Sequence, residues 1–456
     1  MWLEIILVIL GLILALYLYI TKSFGKWKKL GVPYVKGTFP FGSFNFLSGK
    51  HQDIQSEEFH EEFKNEKYFG VFFFGQPFLN INDPDILKQI QVKDFDHFVD
   101  RISKETNMKL FRGGDLDKIW LRQLTSLSGD DWKDVRGAFT PIFTSGKMKT
   151  MLKFIQHVSK DLVNALGEHA EAREEFELKE LFGKFSIDGL ASAAFGIDAQ
   201  SFTNKDSIFV KHAARINRTE TYEQIILTLR MIPGVSNLME FFKMNNIYPT
   251  ETKFFRDVIL QSIKHRRQTG ERKNDLIDLM LDAIKEEHQD QEDGEEEQYE
   301  KDMKLNHKRK KEIDEFDIVA TALVLLIAGY DTTGMALSYM AYELGKHLDI
   351  QSRLQDEIDE AFENAGGKFP DYNVIQSLPY LDMVLHETLR YHPPVGINFR
   401  AAEKDWRVPD SNIVLKKGDA IMYNARFLHR RPEHWSHPDE FYPEHFSKEE
   451  KSSRNP

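Results

Sequence analysis

The sequence contains no cysteine. This absence excludes disulfides and thiolate-bound metal sites within the 456 residues. Basic residues are also few relative to acidic ones, because 60 Lys and Arg stand against 72 Asp and Glu and leave a formal charge of −12. Nucleic acids require a basic surface, so we expect no nucleic-acid partner. The content of 41% hydrophobic and 29% charged residues is typical of a globular chain.

The amino terminus is a long apolar run. Between Trp2 and Ile20 the only charge is Glu4, and a helix of this length reaches roughly 28 Å, close to the ~30 Å hydrocarbon core of a bilayer. We therefore predict a transmembrane anchor over residues 1–21. Four lysines follow it, which by the positive-inside rule leaves the remaining chain in the cytosol. A cleaved signal peptide is the alternative, but such peptides carry their positive charge before the apolar run.

Residues 22–44 are predicted to form a hinge. After the lysines this segment is rich in helix-breaking residues, namely Gly31, Pro33, Gly37, Pro40 and Gly42. A stiff connection between the anchor and a globular body over residues 45–456 is the simplest interpretation.

The body is predicted to be mainly helical with small β-sheets. Tyr68–Phe74 and Phe78–Ile81 are predicted to form a hairpin, with a turn at Gly75-Gln76-Pro77. Asp83 and Pro84 form a helix start. Lys285–Lys311 is acidic and then basic with hardly an apolar side chain, which is typical of a solvated loop.

A central helix is predicted to be buried, because Phe316–Ile327 is apolar on every face. Polar residues then interrupt it within Ala328–Gly334. The Thr332 hydroxyl can bond back to the carbonyl of Ala328, and the glycines would ease a local distortion. Two interpretations remain open: a kinked core helix with solvent at Asp331, or a polar groove that holds a small ligand and supplies it with protons.

Two further pairs stand at helical spacing. Trp132 and Arg136 are four residues apart, and both side chains only donate hydrogen bonds, so together they suit a carboxylate or phosphate. An ordinary packed Trp beside a surface Arg is the alternative. Glu387 and Arg390 are three apart, which permits a bidentate pair along a helix that ends before His392-Pro393-Pro394.

Four short motifs in this order resemble those of the cytochrome P450 family, and the resemblance covers almost the whole chain. They are Trp132–Arg136, Ala328–Thr333, Glu387–Arg390 and Phe441–Phe446. Pro141–Lys147 and Asp94–Arg101 further resemble the vertebrate drug-metabolising and arthropod detoxifying branches. The resemblance implies a cytochrome P450 fold with a catalytic domain over residues 45–456.

The resemblance also implies a cofactor, haem b, and the residues that hold it. Trp132 and Arg136 would bind the haem propionates, with Arg400 a third partner and Arg101 a fourth. Ala328 would belong to the oxygen-binding groove beside the haem.

Catalytic and structural roles follow from the same resemblance. Thr332 would hydrogen-bond the oxygen, and Asp331 would help relay protons. Glu387 and Arg390 would hold the core beneath the haem. His445 stands where the family usually has Arg, and a protonated His could still donate to Glu387.

The implied activity is insertion of one oxygen atom from O2 into a lipophilic substrate. Electrons would come from NADPH through a membrane-bound flavoprotein reductase, at the cytosolic side of the endoplasmic reticulum membrane. Lys133, Lys147, Lys149 and Lys153 are candidates for docking that reductase. Loops around residues 100–125 and 205–250 would select the substrate, and residues 225–242 would touch the bilayer.

The family's iron ligand is a cysteine in a loop shortly after Phe446. We expect that loop beyond Pro456, so the 456-residue chain itself holds no metal ligand and is expected to be inactive. Ligation by His429, His434, His437 or His445 is disfavoured by their surface-type surroundings. The alternatives are a non-catalytic, membrane-tethered protein that keeps the fold without an iron site, and an unrelated anchored helical protein.

Overall fold

The computed structural model describes residues 2–46, 48–204, 206–216, 218, 221–232, 234–285 and 312–454. Apart from Lys285, the predicted solvated loop Lys285–Lys311 lies outside these residues. The chain forms two compact units. Unit 1 consists of Met1–Leu110, Arg230–Val235 and Val395–Pro438, and unit 2 of Phe111–Leu229, Ser236–Pro394 and Asp439–Pro456.

The chain is mainly helical, as predicted. The helices before the central one are α1 (Trp2–Thr21), α2 (Lys26–Leu30), α3 (Gln52–Glu62), α4 (Pro84–Lys88), α5 (Lys104–Phe111), α6 (Asp117–Leu121), α7 (Gly129–Phe139), α8 (Ser145–Ala172), α9 (Leu178–Phe195), α10 (Ile208–Ile216), α11 (Thr221–Arg230), α12 (Val235–Phe241), α13 (Pro249–Thr269) and α14 (Leu276–Lys285). The central helix and those after it are α15 (Glu315–Lys346), α16 (Leu348–Asn364), α17 (Tyr372–Gln376), α18 (Pro379–Tyr391), α19 (Ala425–Leu428) and α20 (Lys448–Ser453).

Two small sheets lie in unit 1. The strands are β1 (Tyr68–Phe73), β2 (Gln76–Ile81), β3 (Ile397–Ala401), β4 (Trp406–Arg407), β5 (Val414–Leu415) and β6 (Ala420–Asn424). The larger sheet has the order β1-β2-β6-β3, in which β2 and β6 are parallel and the other neighbours antiparallel. β4 and β5 form an antiparallel pair. The predicted fold class is confirmed: helices dominate and the sheets are small.

The predicted hairpin is confirmed, but its turn lies earlier than predicted. Phe73 pairs with Gln76, so the turn is Phe74-Gly75 and Pro77 belongs to β2. Phe74 adopts the left-handed conformation, with φ 51°, which a two-residue turn can require. Phe72, opposite Pro77, exchanges both of its backbone hydrogen bonds with Ser43 instead. The missing N–H of Pro77 therefore leaves no acceptor unpaired.

The predicted hinge segment packs against β1. The indole of Trp27 is fully buried and donates to the Val71 carbonyl at 3.2 Å. A Cβ at Gly70 would lie 2.3 Å from this indole, so only glycine fits there. The glycines and prolines of residues 22–44 thus lie in a segment that surrounds a buried tryptophan. The boundaries at residues 21 and 44 stay predictions.

The core of unit 2 surrounds the first half of α15. Asp314 and Asp317 form a capping box at its start, and the helix then runs buried from Asp317 to Val324. Phe316 departs from the predicted all-round burial, since 47% of it is exposed in the first turn. α9, α13 and α14 pack around this buried stretch.

Two helices bear on the membrane prediction. α1 has 20 residues, or roughly 30 Å at 1.5 Å each, and exposes apolar side chains such as Leu3 and Leu7. Among helices whose residues are all described, α15 has the length and apolar composition to cross a membrane. Because the apolar half of α15 forms the core of unit 2, its composition has a packing explanation. The anchor over residues 1–21 stays a prediction.

Candidate functional site

The side chains of α15 become more exposed to solvent in the middle of the helix. Residues from Asp317 to Val324 are buried, whereas Ala328 and Thr333 are exposed and Thr332 is half-buried. The Thr332 hydroxyl donates to the carbonyl of Ala328, the bond that the sequence predicts. α15 nevertheless continues unbroken to Lys346, so this bond is accommodated without ending the helix.

The two glycines of this segment allow close packing against α9. A Cβ at Gly329 would lie 2.9 Å from the Leu190 side chain, and one at Gly334 would lie 3.3 Å from the backbone of Gly183. The sequence predicted instead that these glycines ease a distortion of the helix. At Gly334 the nearest atoms belong to the backbone of α9, whereas at Gly329 they are the end of the flexible Leu190 side chain, and the sequence pattern of one helix reveals neither contact.

Asp331 lies in an open cleft beside α9. Its carboxylate forms an ion pair with Lys179 Nζ at 3.4 Å. The Asp331 side chain is 36% exposed and that of Lys179 is 59% exposed. Lys179, Tyr330 and Asp331 contribute to the walls of the cleft, whose volume is about 790 Å³. Burial raises the pKa of the Tyr330 phenol, and the negative charge of Asp331 raises it further. Asp331 is therefore accessible to water.

Trp132 and Arg136 lie one turn apart on α7, and both are half-buried. The helix begins with two aspartates, Asp130 and Asp131, which suits its amino-terminal dipole. The Thr140 hydroxyl bonds the carbonyl of Arg136 at 2.9 Å, where α7 gives way to a 3₁₀ turn over Thr140–Phe143. The structure thus places both predicted haem-binding donors on one helix.

Arg400 and Arg101 lie on adjoining segments of unit 1. Arg400 is on β3, where its guanidinium is 5.6 Å from the ring centre of Phe95 and 3.4 Å from the Val99 carbonyl. Arg101 is exposed and follows Asp100, whose carbonyl accepts from the Ala401 N–H at 2.9 Å. Their role as propionate partners stays a prediction.

Glu387 and Arg390 form a bidentate pair on α18. Arg390 Nε and Nη2 donate to the two carboxylate oxygens at 2.7 Å each. The remaining bonds tie the pair to residues 440–445: Arg390 donates to the Glu440 carbonyl at 2.8 Å, and the Tyr442 N–H donates to Glu387 at 2.7 Å. Glu387 is fully buried and Arg390 is 2% exposed. A pair so dry is stabilising only with all of these hydrogen bonds in place.

His445 completes this cluster, which we call the Glu387 cluster (Glu387, Arg390, Tyr442 and His445). Its Nδ1 lies 3.2 and 3.3 Å from the Glu387 oxygens, and the side chain is fully buried. The structure thus places the imidazole within hydrogen-bond distance of the carboxylate, at the position where the sequence departs from the family pattern.

Two charged residues with ion-pair partners were not predicted from the sequence: Lys179, which pairs with Asp331, and Glu343, which pairs with His392. Lys179 precedes Asp331 by 152 positions, and nothing in the local pattern marks it. Glu343, near the end of α15, is buried and contacts His392 Nε2 at 2.8 Å. Burial of Glu343 raises its pKa, but the hydrogen bonds from His392 and Lys346 outweigh this and hold the pKa below its usual range.

The residues present suit the periphery of a haem. The indole of Trp132 and the guanidinium of Arg136 only donate hydrogen bonds, which matches the acid groups of a porphyrin, and the exposed Ala328 offers a small side chain for a flat group. The 456 residues contain no thiolate. Within the described ranges, no group of three or more His, Asp or Glu side chains is arranged to hold a metal ion. These residues therefore fit the porphyrin and do not include an axial thiolate.

Comparison with known proteins gives the family. The cytochrome P450 family model matches residues 37–456. Cytochrome P450 3A6 of Oryctolagus cuniculus is 32% identical over 444 residues, which cover 97% of this chain and 81% of that protein. Cytochrome P450 3A28 of Bos taurus is 33% identical, with 97% and 80% covered. Cytochrome P450 6j1 of Blattella germanica is 30% identical, with 98% and 83% covered.

The chain belongs to the cytochrome P450 family. The predicted resemblance to the microsomal type is confirmed by relatives from both a vertebrate and an insect. Membership makes the protein an oxidoreductase of the haem monooxygenase class, which takes electrons from a redox partner and acts on small molecules.

Proposed function

We propose that the protein is a membrane-anchored haem-thiolate monooxygenase that inserts one oxygen atom from O2 into lipophilic organic molecules, with electrons derived from NADPH. The observation that carries this proposal is the arrangement on α15. The Thr332 hydroxyl and the Asp331 carboxylate occupy consecutive positions. The carboxylate pairs with Lys179, and both of these side chains line a cleft that is open to water.

Bound haem would supply the activation of O2. Trp132 and Arg136 would hold its acid groups, with Arg400 and Arg101 as further predicted partners. Asp331 would take up protons from water in the cleft, and Lys179, whose Nζ lies 3.4 Å from its carboxylate, would pair with it there. Thr332 would present its hydroxyl on the side of α15 where Ala328 is exposed. The Glu387 cluster would stabilise the fold without touching the substrate.

The test is a carbon monoxide difference spectrum of the complete gene product, followed by turnover with NADPH and a flavoprotein reductase. A thiolate-haem spectrum together with NADPH-dependent oxygenation of a lipophilic substrate would support the proposal. A protein that takes up no porphyrin would refute it.

A reductase is the proposed electron donor. Lys147, Lys149 and Lys153 are exposed along α8, and Lys133 is half-buried on α7. Lysines so placed can steer an acidic partner. Reversing the charge at Lys133 and Lys147 should slow electron transfer without changing substrate affinity, whereas Lys368→Glu, at an exposed loop position, should have no effect. Equal rates in both variants would remove the docking proposal.

Contact with the endoplasmic reticulum membrane is proposed at two places. One is α1. The other is the end of α12 and the residues after it, where Leu238, Phe241 and Phe242 are 57%, 78% and 62% exposed. Aromatic side chains exposed in this way fit a bilayer interface. A lipid-phase photoprobe should label both segments, and absence of label on either would argue against its contact.

A second candidate is a non-catalytic, membrane-tethered member of the family. The 456 residues contain no cysteine and so do not by themselves distinguish this candidate from the first. The carbon monoxide difference spectrum distinguishes the two candidates, because a protein without a sulfur donor cannot give the thiolate-haem signature.

A further inference from the structure

α3 lies across one face of the larger sheet in unit 1. At one end of this contact the ring of His60 meets that of Phe69 in β1, with the ring centres 5.1 Å apart. At the other end the Asn424 side chain of β6 donates to Ser56 Oγ at 3.2 Å. Because β2 lies between β1 and β6 in the sheet, the helix crosses β2 between these two contacts.

Asn80 of β2 lies beneath this crossing. It is paired with Phe69 in β1 and with Met422 in β6, and side chains at paired positions stand on the same face of a sheet. Its neighbours in the strand, Leu79 and Ile81, belong to the core on the opposite face. Asn80 therefore places an amide between two large apolar side chains, on the face that α3 covers.

Three polar atoms between α3 and β2 need partners. His60 and Asn80 are both fully buried. Within the described part of the chain, His60 Nε2 and both polar atoms of the Asn80 side chain have no hydrogen-bond partner. Buried polar groups in folded proteins are nearly always hydrogen-bonded, because an unpaired one loses its contact with water without compensation. A group other than the described side chains and backbone has to supply these bonds.

The protonation of His60 decides which bond its Nε2 needs. Nδ1 lies 2.8 Å from the Ser56 carbonyl oxygen, which can only accept, so Nδ1 carries the proton. Burial lowers the pKa of His60 to about 4, and the positive charge of Arg431 acts in the same direction, so the ring is neutral at pH 7. In this neutral form Nε2 has no hydrogen and requires a donor.

We propose that a buried water molecule lies between α3 and β2, where it donates to His60 Nε2 and bonds with the Asn80 amide. The occupant has to be small, because both residues are fully buried. It has to be uncharged, since an anion has no hydrogen to donate and a cation would meet the charge of Arg431, which already acts on His60. Water meets these conditions and bonds two to four polar groups at such sites. The inference concerns unit 1 alone and does not rest on the proposed function.

A crystal structure of the full chain, at a resolution that shows ordered water, tests the site directly. We expect one density peak within about 2.7–3.2 Å of both His60 Nε2 and the Asn80 amide. A direct hydrogen bond between the two side chains, or the lack of a peak that contacts both, would overturn the proposal.

A double-mutant cycle in urea unfolding tests whether the two residues share one ligand. Asn80→Leu leaves His60 Nε2 without a donor, and His60→Phe leaves the amide without a partner, so each should raise the unfolding equilibrium constant roughly 10-fold. The double variant removes every polar atom of the site. Its constant should therefore be at least about 3-fold smaller than the product of the two single effects predicts. Effects that simply multiply would contradict a shared water.

The matched control for this cycle is Leu79→Ala. Leu79 is fully buried in the same strand, but it belongs to the opposite face of the sheet. Combined with His60→Phe, its effect should multiply, because the two side chains share no partner. A coupling as large as that between His60 and Asn80 would trace the effect to the strand as a whole and overturn the shared site.

A further variant decides the matter if Asn80→Leu does not fold. Asn80→Asp keeps the shape of the side chain and puts a carboxylate beside His60, which favours the charged imidazole. The pKa of His60 should then rise from about 4 toward 6.5. A pH titration of the histidine-labelled chain by NMR measures it, with the His60 signal identified by its loss in His60→Phe. An unchanged pKa would show that the two side chains are not neighbours and would sink the proposal.

Discussion

Two carboxylates on helices of unit 2, Glu387 and Asp331, differ in their exposure to water. Glu387 is fully buried and its partner Arg390 is 2% exposed. Asp331 and its partner Lys179 are 36% and 59% exposed. Both form ion pairs, but only the first is held by several hydrogen bonds away from water. The two carboxylates therefore differ in access to water: hydrogen bonds enclose Glu387, whereas Asp331 lies in an open cleft.

The energies of the two pairs should differ accordingly. Removing one member of a buried pair leaves an uncompensated charge and costs about 3–5 kcal/mol. An exposed pair contributes about 0.2–1 kcal/mol, because water screens both members. Substitutions at the two sites therefore test whether burial or pairing decides the effect.

The largest effect is expected at Glu387. Glu387→Gln leaves Arg390 charged and buried, so the free energy of unfolding should fall by about 3–5 kcal/mol. Urea unfolding measures this loss. Glu444→Gln is the matched control, since Glu444 pairs with Arg353 at 2.6 Å with side chains 31% and 59% exposed, and it should cost under about 1 kcal/mol. Equal losses in the two variants would contradict the comparison.

His60 tests burial without a counter-charge. It is fully buried on α3, and burial lowers its pKa from 6.5 to about 4, although the bond to the Ser56 carbonyl opposes the shift. The unfolded chain then binds a proton between pH 6.5 and 4 that the folded chain does not. The free energy of unfolding should therefore fall as the pH drops through this window, by roughly 3 kcal/mol in total.

His60→Phe should reduce this pH dependence when unfolding is measured by urea at pH 7, 5.5 and 4. The same slope in both proteins would show that other groups cause it. The result bears on the comparison because His60 is buried like Glu387 but has no salt-bridge partner among its described contacts.

A smaller effect is expected when charge is kept and geometry is lost. Arg390→Lys retains a cation beside Glu387 but cannot make two parallel bonds and also reach the Glu440 carbonyl. We expect a loss of about 1–2 kcal/mol in urea unfolding, from the missing hydrogen bonds. A loss as large as that of Glu387→Gln would mean that geometry matters as much as charge in this cluster.

The smallest effect on stability is expected at the exposed pair. Lys179→Met should change the free energy of unfolding by less than about 1 kcal/mol. Asp331→Asn should be equally mild for stability, yet in the complete enzyme it should lower turnover by roughly 100-fold if it relays protons. Stopped-flow and steady-state assays of both variants check this. Turnover at the level of the unsubstituted enzyme in Asp331→Asn would remove the relay role.

Local patterns predicted local structure well. Asp83 caps α4 through the N–H groups of Asp85 and Ile86, with Pro84 in the first turn, as the sequence indicates. The bond from Thr332 to Ala328 and the pairing of Glu387 with Arg390 are equally local, because each spans one helical turn. Such contacts follow from helical geometry alone.

Contacts between distant segments could not be predicted from one sequence. Lys179 meets Asp331 because α9 packs on α15, and Asp117 meets Ile247 because two loops cross. The burial of Trp27, within the predicted hinge, is another such contact, because the indole packs on β1, which begins 41 positions later at Tyr68. Turn-forming residues indicate where a chain bends, but not what it bends around.

The contact between Gly183 and Gly334 fixes more than the distance between two helices. Gly334 stands three positions after Asp331, on the same side of α15, and Gly183 stands four positions after Lys179 on α9. Because α9 and α15 lie this close at these glycines, a shift of one helix along the other would bring side chains against backbone. A Cβ gained at Gly334 would lie 3.3 Å from the Gly183 backbone, so α9 and α15 would have to shift by a few tenths of an ångström beside the pair of Lys179 and Asp331.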